Sequence, residues 1–401
     1  MNGRARRGDD PGAEGVVFDR VPFAGVTVAL GLIGGTNAAY GTLLVGIARH
    51  FGLALASAGL TLSVSFAGAL VGVALCWFVL GRSAGGPVLA AALVVFSVGM
   101  SVAALAPTWP AFLGGVALSG VGFGAIDFGV LNLTSRTAHE GRAARLSVSG
   151  SGWAFGAIAG PLLVVAVRPQ HFAVFFGIAS AVGLVLVPFV LGVNAPPVHA
   201  EVRQAMDERR PGNRRVVLWT FLSAFGSYVA VEAAVSGWLA AQLHGWGYPA
   251  AVGSLVTAGF WAGLAIGRLV STPMLRLLAG HQLVLVGLGL AITFLMGSGV
   301  RWLAPVAYPL VGLTLALVFP LGFHWFTELI PDDHNAVAWL VFAGMVGGIL
   351  GPGSESLAVA HFGLHVVSYV AAGLTFACMA VFAVALRFPI PVPAPRAAPP
   401  T

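Results

Sequence analysis

Long apolar segments alternate with short polar or charged ones along almost the whole chain. About twenty consecutive apolar residues are enough for one helix across the hydrocarbon core of a bilayer. By this measure the pattern predicts an all-α integral membrane protein with twelve membrane-spanning helices. We number these spans 1 to 12, and they are predicted at residues 22–47, 54–80, 87–106, 111–134, 146–167, 172–193, 216–241, 250–273, 281–300, 303–327, 336–360 and 366–387.

Polar segments divide the predicted spans into two groups of six. Residues 194–215 form the longest polar stretch between spans, and we expect a cytoplasmic linker there, with a short surface helix over 199–210. A cytoplasmic tail is predicted at 1–20, and a disordered, proline-rich tail at 389–401. The two six-helix bundles are predicted at 21–193 and 216–388.

Small residues recur at a constant offset of 191 residues, which indicates an internal duplication. Gly259 follows Gly68 at this offset, and Gly226 follows Gly35. The triplet Gly156, Gly160 and Pro161 returns as Gly347, Gly351 and Pro352. Because six spans separate the copies, both halves start on the same side of the membrane. The sequence therefore predicts two parallel pseudo-repeats, an arrangement found in secondary transporters.

Composition agrees with a lipid-embedded chain. Hydrophobic residues make up 58% of the 401 residues and charged residues only 8%, against roughly 25% charged in a soluble domain. The net charge of +6 comes from arginine alone, and the arginines form no continuous basic face, so we expect no nucleic-acid partner. Cys76 and Cys378 lie in apolar runs and are interpreted as packing residues.

Arginine placement sets the predicted orientation. With the N-terminus in the cytoplasm, the cytoplasmic side holds all arginines except three, which are Arg49, Arg168 and Arg301. Cytoplasmic loops of membrane proteins are enriched in arginine and lysine. We therefore expect both termini in the cytoplasm, and a bacterial inner membrane as the location.

Four short motifs stand out, which are GVGFGAIDFGVLN in span 4, GWAFGAIAGPLL in span 5, GSYVAVEAAVSGW in span 7 and GFWAGLAIGR in span 8. With them the chain resembles the major facilitator superfamily, in particular the branch containing the fucose–proton symporter and related sugar permeases. The resemblance implies the major facilitator fold and proton-coupled sugar transport. Asp127 is the counterpart of that branch's span 4 acid. Span 1 departs from the branch, because its most polar deep residue is Asn37 rather than a carboxylate.

Charges within the bilayer are costly, by about 2.5–3.5 kcal/mol each on insertion scales, so intramembrane acids need a reason. We predict that Asp127 and Glu232 are proton-coupling carboxylates facing a central cavity. The alternative is that each only forms structural hydrogen bonds between helices. A third acid, Glu355, lies near the outer end of span 11, and we interpret it as reaching the headgroup region.

Polar residues on the faces of these spans are the predicted substrate contacts. Tyr228 and Ser236 lie four residues on either side of Glu232 and so share its helix face. The complete predicted set is Asn37, Tyr40, Asn132, Tyr228, Ser236 and His324. For His324 the alternative is a role in packing only. Bends that suit a rocking motion are predicted at Gly160, Pro161, Gly351 and Pro352.

No enzyme motif, phosphate-binding loop or cluster of metal ligands is present in the sequence, so we expect no cofactor and no ATP-driven step. The favoured function is a monomeric secondary transporter that moves a small, sugar-like solute by alternating access, coupled to protons. Two alternatives stay open. One is a proton-coupled exporter of drugs or secondary metabolites, and the other is a non-transporting sensor on the same fold.

Overall fold

The protein is described here by a computed structural model, which covers residues 19–135, 142–193, 212–330 and 336–388. The predicted tails, most of the linker and the predicted surface helix over 199–210 lie outside the described residues.

Twelve helical units of the described chain are long and apolar enough to cross a membrane, which confirms the predicted number of spans. In order, the helices are Arg20–Phe51, Leu55–Leu80, Gly85–Leu105, Trp109–Ser135, Arg142–Val167, Phe172–Leu191, Gly212–Gly245, Ala250–Met274, Gly280–Ser298, Ala304–Leu315 with Val318–Leu329, Ala336–Phe362 and Val367–Ala385. Short 3-10 turns, Pro169–His171 and Leu364–Val366, precede spans 6 and 12.

Local chemistry explains two features of these helices. Span 1 continues four residues beyond its predicted end and stops where Gly52 adopts φ +63°, a left-handed conformation that glycine tolerates without steric cost. Span 10 is broken between Leu315 and Val318. Pro320 has no N–H to donate to the carbonyl of Ala316, so one helical hydrogen bond is missing at this break.

The two halves have the same internal packing, which is the structural counterpart of the sequence repeat. In the first half, span 1 packs on span 5, and span 4 packs on spans 2 and 3. In the second half, span 7 packs on span 11, and span 10 packs on spans 8 and 9. Each half is therefore a six-helix bundle of equivalent design, as the major facilitator fold requires.

Glycines hold the closest helix pairs of each half together. A side-chain carbon at Gly160 would collide with the backbone of span 1, and one at Gly351 would collide with the backbone of span 7. The helices continue through the following residues, Pro161 and Pro352. The structure thus gives these glycines a packing role inside each half, while a bending role remains a prediction.

The repeat is not matched contact for contact. Gly160 meets Gly35 in the first half. In the second half, Gly347 meets Gly226, although Gly347 is the repeat partner of Gly156 rather than of Gly160. The pairing of spans 7 and 11 is therefore shifted by four residues, about one helical turn, relative to that of spans 1 and 5.

Several contacts between the halves lie on one side of the membrane. An even number of spans places both ends of the described chain on one side, which we call the terminal side, and we call the opposite side the far side. On the far side, Ser356 Oγ donates to the carbonyl oxygen of Ala56 at 3.0 Å. Arg49 Nη2 and His244 Nε2 lie 3.2 Å apart there and link spans 1 and 7.

Nearer the middle of the membrane, Ser63 Oγ donates to the carbonyl oxygen of Ile349 at 2.9 Å and joins spans 2 and 11. On the terminal side, the rings of Trp77 and Trp339 meet at 6.4 Å between the same two spans. Spans 2 and 11 thus touch along much of their length, and spans 5 and 8 pack together on the other flank. Between these two flanks the halves leave a space.

Candidate functional site

A cavity of about 300 Å³ lies between the two halves. Its lining residues come from both halves and lie near the midpoint of their helices or closer to the terminal side. They are Leu30, Asn37, Phe66, Phe123, Asp127, Val130, Leu131, Ser149, Gly150, Trp153, Tyr228, Val229, Glu232, Ala233, Trp261, Arg268, Phe319, Phe323, Leu340, Val341, Gly344 and Met345. The far-side contacts close the cavity from the opposite direction.

Three polar side chains of the second half form one group in this lining. Tyr228 and Glu232 lie one turn apart on span 7, and Arg268 reaches them from span 8. Glu232 is in electrostatic contact with Arg268, and the Tyr228 hydroxyl lies beside both groups. This hydroxyl is buried and makes no hydrogen bond of ordinary geometry.

Asp127 faces the cavity from the opposite half. Span 4 carries it, and its carboxyl group is buried with no charged neighbour among the described residues. The described lining therefore holds two carboxyl groups on opposite halves and one arginine, so one of these carboxyl groups lacks a counter-charge there. An uncompensated carboxylate in an apolar cavity favours binding of a proton or another cation.

Aromatic rings form much of the remaining wall. Trp153 of span 5 and Trp261 of span 8 meet edge to face, with ring centroids 5.0 Å apart. Phe319 stacks on Phe323 along span 10, at 6.5 Å between centroids. Such faces suit a sugar ring or an apolar solute. The two tryptophans also close the cavity where spans 5 and 8 of the opposite halves meet.

The predicted substrate contacts separate into two groups. Asn37 and Tyr228 line the cavity. Tyr40 instead borders a space of about 10 Å³ inside the first half, near Ser65 and Ser119. That volume is about enough for one water molecule.

The other three predicted contacts do not line the cavity. Ser236 is buried where Gly41 of span 1 meets the backbone of span 7. The Asn132 amide oxygen is buried and has no hydrogen-bond partner within the described part of the chain. His324 is 62% exposed, and its Nε2 lies 3.5 Å from the Glu328 carboxylate. We do not include these three residues in the proposed site.

The interpretation of Glu355 is wrong. Its side chain does not reach the headgroup region, because the residue is fully buried and neither carboxylate oxygen has a hydrogen-bond partner. Its position near the end of span 11 suggested that the side chain would be exposed to the headgroup region. However, span 11 packs between spans 2 and 7 at this level, and that packing excludes both lipid and water.

Several lining residues were not singled out from the sequence. Trp153 and Trp261 belong to motifs whose glycines drew attention to helix packing rather than to the cavity. Trp153 directly follows Gly152, and Trp261 lies two residues from a glycine on each side, in GFWAG. A large ring within two residues of a glycine, in a span at the interface between halves, is the signal that would have indicated them. Arg268 also lines the cavity, and it is in electrostatic contact with Glu232.

Twelve spans in two parallel bundles, with a largely apolar cavity between them that holds a few charged side chains, define a secondary transporter. The family model of the Major Facilitator Superfamily matches residues 26–352. The chain belongs to this superfamily, which confirms the family resemblance seen in the sequence. No curated protein sequence matches the chain significantly.

Solved transporter structures share the fold. A D-xylose–proton symporter superimposes with a TM-score of 0.73 at 15% identity, covering 90% of this chain and 96% of its own. A peptide transporter in complex with sulfate gives 0.75 at 13% identity, with coverages of 92% and 94%. A nucleoside transporter gives 0.71 at 14% identity, with coverages of 91% and 99%. At these identities the likeness shows the fold and does not distinguish among substrates.

Proposed function

We propose that the protein is a proton-coupled secondary transporter that moves a small solute across a bacterial inner membrane by alternating access. The observation that carries the proposal is the cavity between the halves, closed on the far side and lined by a carboxyl group from each half. The arginine distribution supports a terminal side that faces the cytoplasm.

Asp127 and Glu232 are the proposed proton carriers. Both face the same cavity, so a proton and a solute can influence each other there without direct contact. Glu232 already interacts with Arg268, and its protonation would release that arginine for a solute. Asp127 has no such counter-charge, and protonation would remove the cost of an isolated charge. Proton binding and solute binding are then coupled, because each changes the electrostatic energy of the cavity in which the other binds.

Alternating access in this proposal requires the far-side contacts to break while the cavity closes on the terminal side. The far-side contacts between halves include single hydrogen bonds such as that from Ser356 to Ala56. Each bundle, by contrast, is held by close glycine packing. The halves can therefore move as two rigid bodies, the rocking motion typical of such repeats.

A sugar-like solute remains the first proposal for the substrate. The Asn37 amide and the Tyr228 hydroxyl can hydrogen-bond hydroxyl groups, and Trp153 offers a face to stack on a ring. The D-xylose–proton symporter among the similar folds is in keeping with this choice. The second candidate is export of an apolar cation, which the predominantly aromatic and aliphatic lining favours.

A thermal-shift panel tests the substrate class. Monosaccharides such as D-xylose and L-fucose form one arm, and tetraphenylphosphonium and ethidium form the other. Only a compound that binds the folded state raises the unfolding temperature, by an amount that grows with its concentration. A rise confined to one arm selects that candidate, and imposed pH gradients in proteoliposomes then show accumulation for a symporter or extrusion for an exporter. Normal folding without binding or flux for any compound would reject the transport proposal in favour of a sensor.

A further inference from the structure

Glu355 is a carboxyl group outside the cavity that the proposed transport site does not use. It is fully buried, and both of its oxygens lack a hydrogen-bond donor among the described residues. An ionised carboxylate in such a place would cost several kcal/mol or more, because no counter-ion or hydrogen-bond donor of the described residues stabilises it. The far-side-closed structure is therefore compatible with the neutral, protonated acid.

The surroundings of Glu355 connect it to the contact between the halves. The next residue, Ser356, donates to the carbonyl oxygen of Ala56 in span 2. Gly59, also in span 2, meets both Ser356 and the ring of Trp238 from span 7. Separation of span 2 from spans 7 and 11 is thus the movement that would bring water to this level of the membrane.

The face of span 11 that bears Glu355 is turned toward span 7. Gly351 lies one turn earlier on the same face and meets the backbone of Ala230. Farther along span 7, the Trp238 indole N–H is also buried without an acceptor. The chain therefore buries at least two unsatisfied polar groups near the far-side contact. Unsatisfied groups of this kind are rare in proteins and call for an explanation.

The neighbouring titratable groups supply no positive partner. Spans 2, 4, 7 and 12 pack against span 11. Tyr308 of span 10 is in electrostatic contact with Glu355, and its own hydroxyl donates to Gln242. His244 at the end of span 7 lies 3.2 Å from Arg49 instead. His365 lies in the turn before span 12, and no ion pair to Glu355 occurs among the described residues.

We propose that Glu355 is a second proton-binding site and that the far side closes only when this carboxyl group is protonated. When the far side opens, span 2 leaves Ser356, water reaches Glu355, and the proton is released to that water or taken up from it. Closure with the ionised form would bury an unpaired charge, so the ionised protein stays open on the far side. This inference rests on the proposed alternating access but not on any particular solute.

Distance measurements between spin labels test the proposal without a solute. Labels at Ala54→Cys and Ala250→Cys mark the far-side ends of spans 2 and 8, which belong to opposite halves and are exposed. Cys76 and Cys378, both buried, are first replaced by alanine. In lipid nanodiscs, the short distance of the closed state should dominate at low pH. At pH values above the one at which Glu355 loses its proton, the ratio of open to closed protein should rise by about tenfold per pH unit. This is the steepest rise that one linked proton allows.

Glu355→Gln should keep the short distance at every pH, because the amide is always neutral. Glu328→Gln is the matched control, since it neutralises an exposed carboxylate of the same half and should follow the wild type. A wild-type distance independent of pH would overturn the proposal, and this result needs no variant. An unchanged pH response in Glu355→Gln would also overturn it, and Glu355→Leu takes its place if the amide variant does not fold. Absence of solute flux with an intact pH response would count only against the transport proposal.

Discussion

Asn37 and Tyr228 occupy the same position in the two copies of the repeat, 191 residues apart, and both line the central cavity. Each lies near the middle of the first helix of its half. The duplication therefore places one polar side chain from each half toward a shared space, but the two side chains differ. One is an amide and the other a phenol, so the two walls of the cavity offer a solute different chemistry.

This asymmetry leads to the first prediction. Tyr228→Phe and Asn37→Leu should each weaken solute binding, because each removes a polar group of the lining. A lost hydrogen bond to a neutral solute costs about 0.5–1.5 kcal/mol, so the dissociation constant should rise roughly two- to tenfold. Titration with the solute selected by thermal shift measures the change. Tyr369→Phe, an exposed tyrosine of span 12, is the control and should bind normally.

The second prediction concerns Asp127. Asp127→Asn removes the carboxyl group that has no charged partner in the cavity. Accumulation driven by a pH gradient should fall to the level seen without a gradient, while exchange of labelled for unlabelled solute should persist. Proteoliposomes loaded with the selected solute allow both measurements. Gradient-driven accumulation equal to that of the wild type would remove Asp127 from the coupling step.

The third prediction concerns the pair formed by Glu232 and Arg268. Glu232→Gln and Arg268→Gln each leave one charge without its partner, whereas the double variant removes both charges. The double variant should therefore be more stable than the sum of the single effects implies, by about 0.5–3 kcal/mol, the range for residues in contact. Unfolding of purified protein in one detergent measures the four free energies. Additive effects would show that the two charges do not interact.

The fourth prediction tests the packing inside the second half. A methyl group at Gly347 would collide with the carbonyl oxygen of Gly226, so Gly347→Ala should destabilise the protein by about 1–3 kcal/mol. Gly289→Ala is the matched control, because no atom lies near the added methyl group there. It should leave the unfolding temperature unchanged or raise it slightly, since alanine is the better helix former. Equal behaviour of the two variants would contradict close packing at Gly347.

Much of the fold follows from the sequence because its signals are local and repeated. Twenty-residue apolar segments give the spans, and the offset between Gly68 and Gly259 gives the duplication. The one-turn shift between the halves could not be predicted. It depends on which glycine of span 11 meets span 7, and Gly347 and Gly351 are equally suited to that contact by sequence.

The site was less accessible to prediction. Asp127, Glu232, Asn37 and Tyr228 stand out because polar residues are rare in these spans, and the structure brings all four to one cavity. Glu355 was misplaced because distance from the span end says nothing about which neighbours cover a residue. Ser236 shares a helix face with Glu232, yet the close approach of span 1 at Gly41 covers it.

The central claim is that carboxyl groups of both halves couple proton movement to solute movement through one cavity. The most direct test is the proton flux that accompanies solute entering proteoliposomes, recorded with a trapped pH dye for the wild type and for Asp127→Asn. For a symporter, solute should acidify the lumen of wild-type vesicles, and for an exporter it should make the lumen alkaline. The variant should show neither change, although it still exchanges solute. Solute movement without any pH change in the wild type would contradict the account.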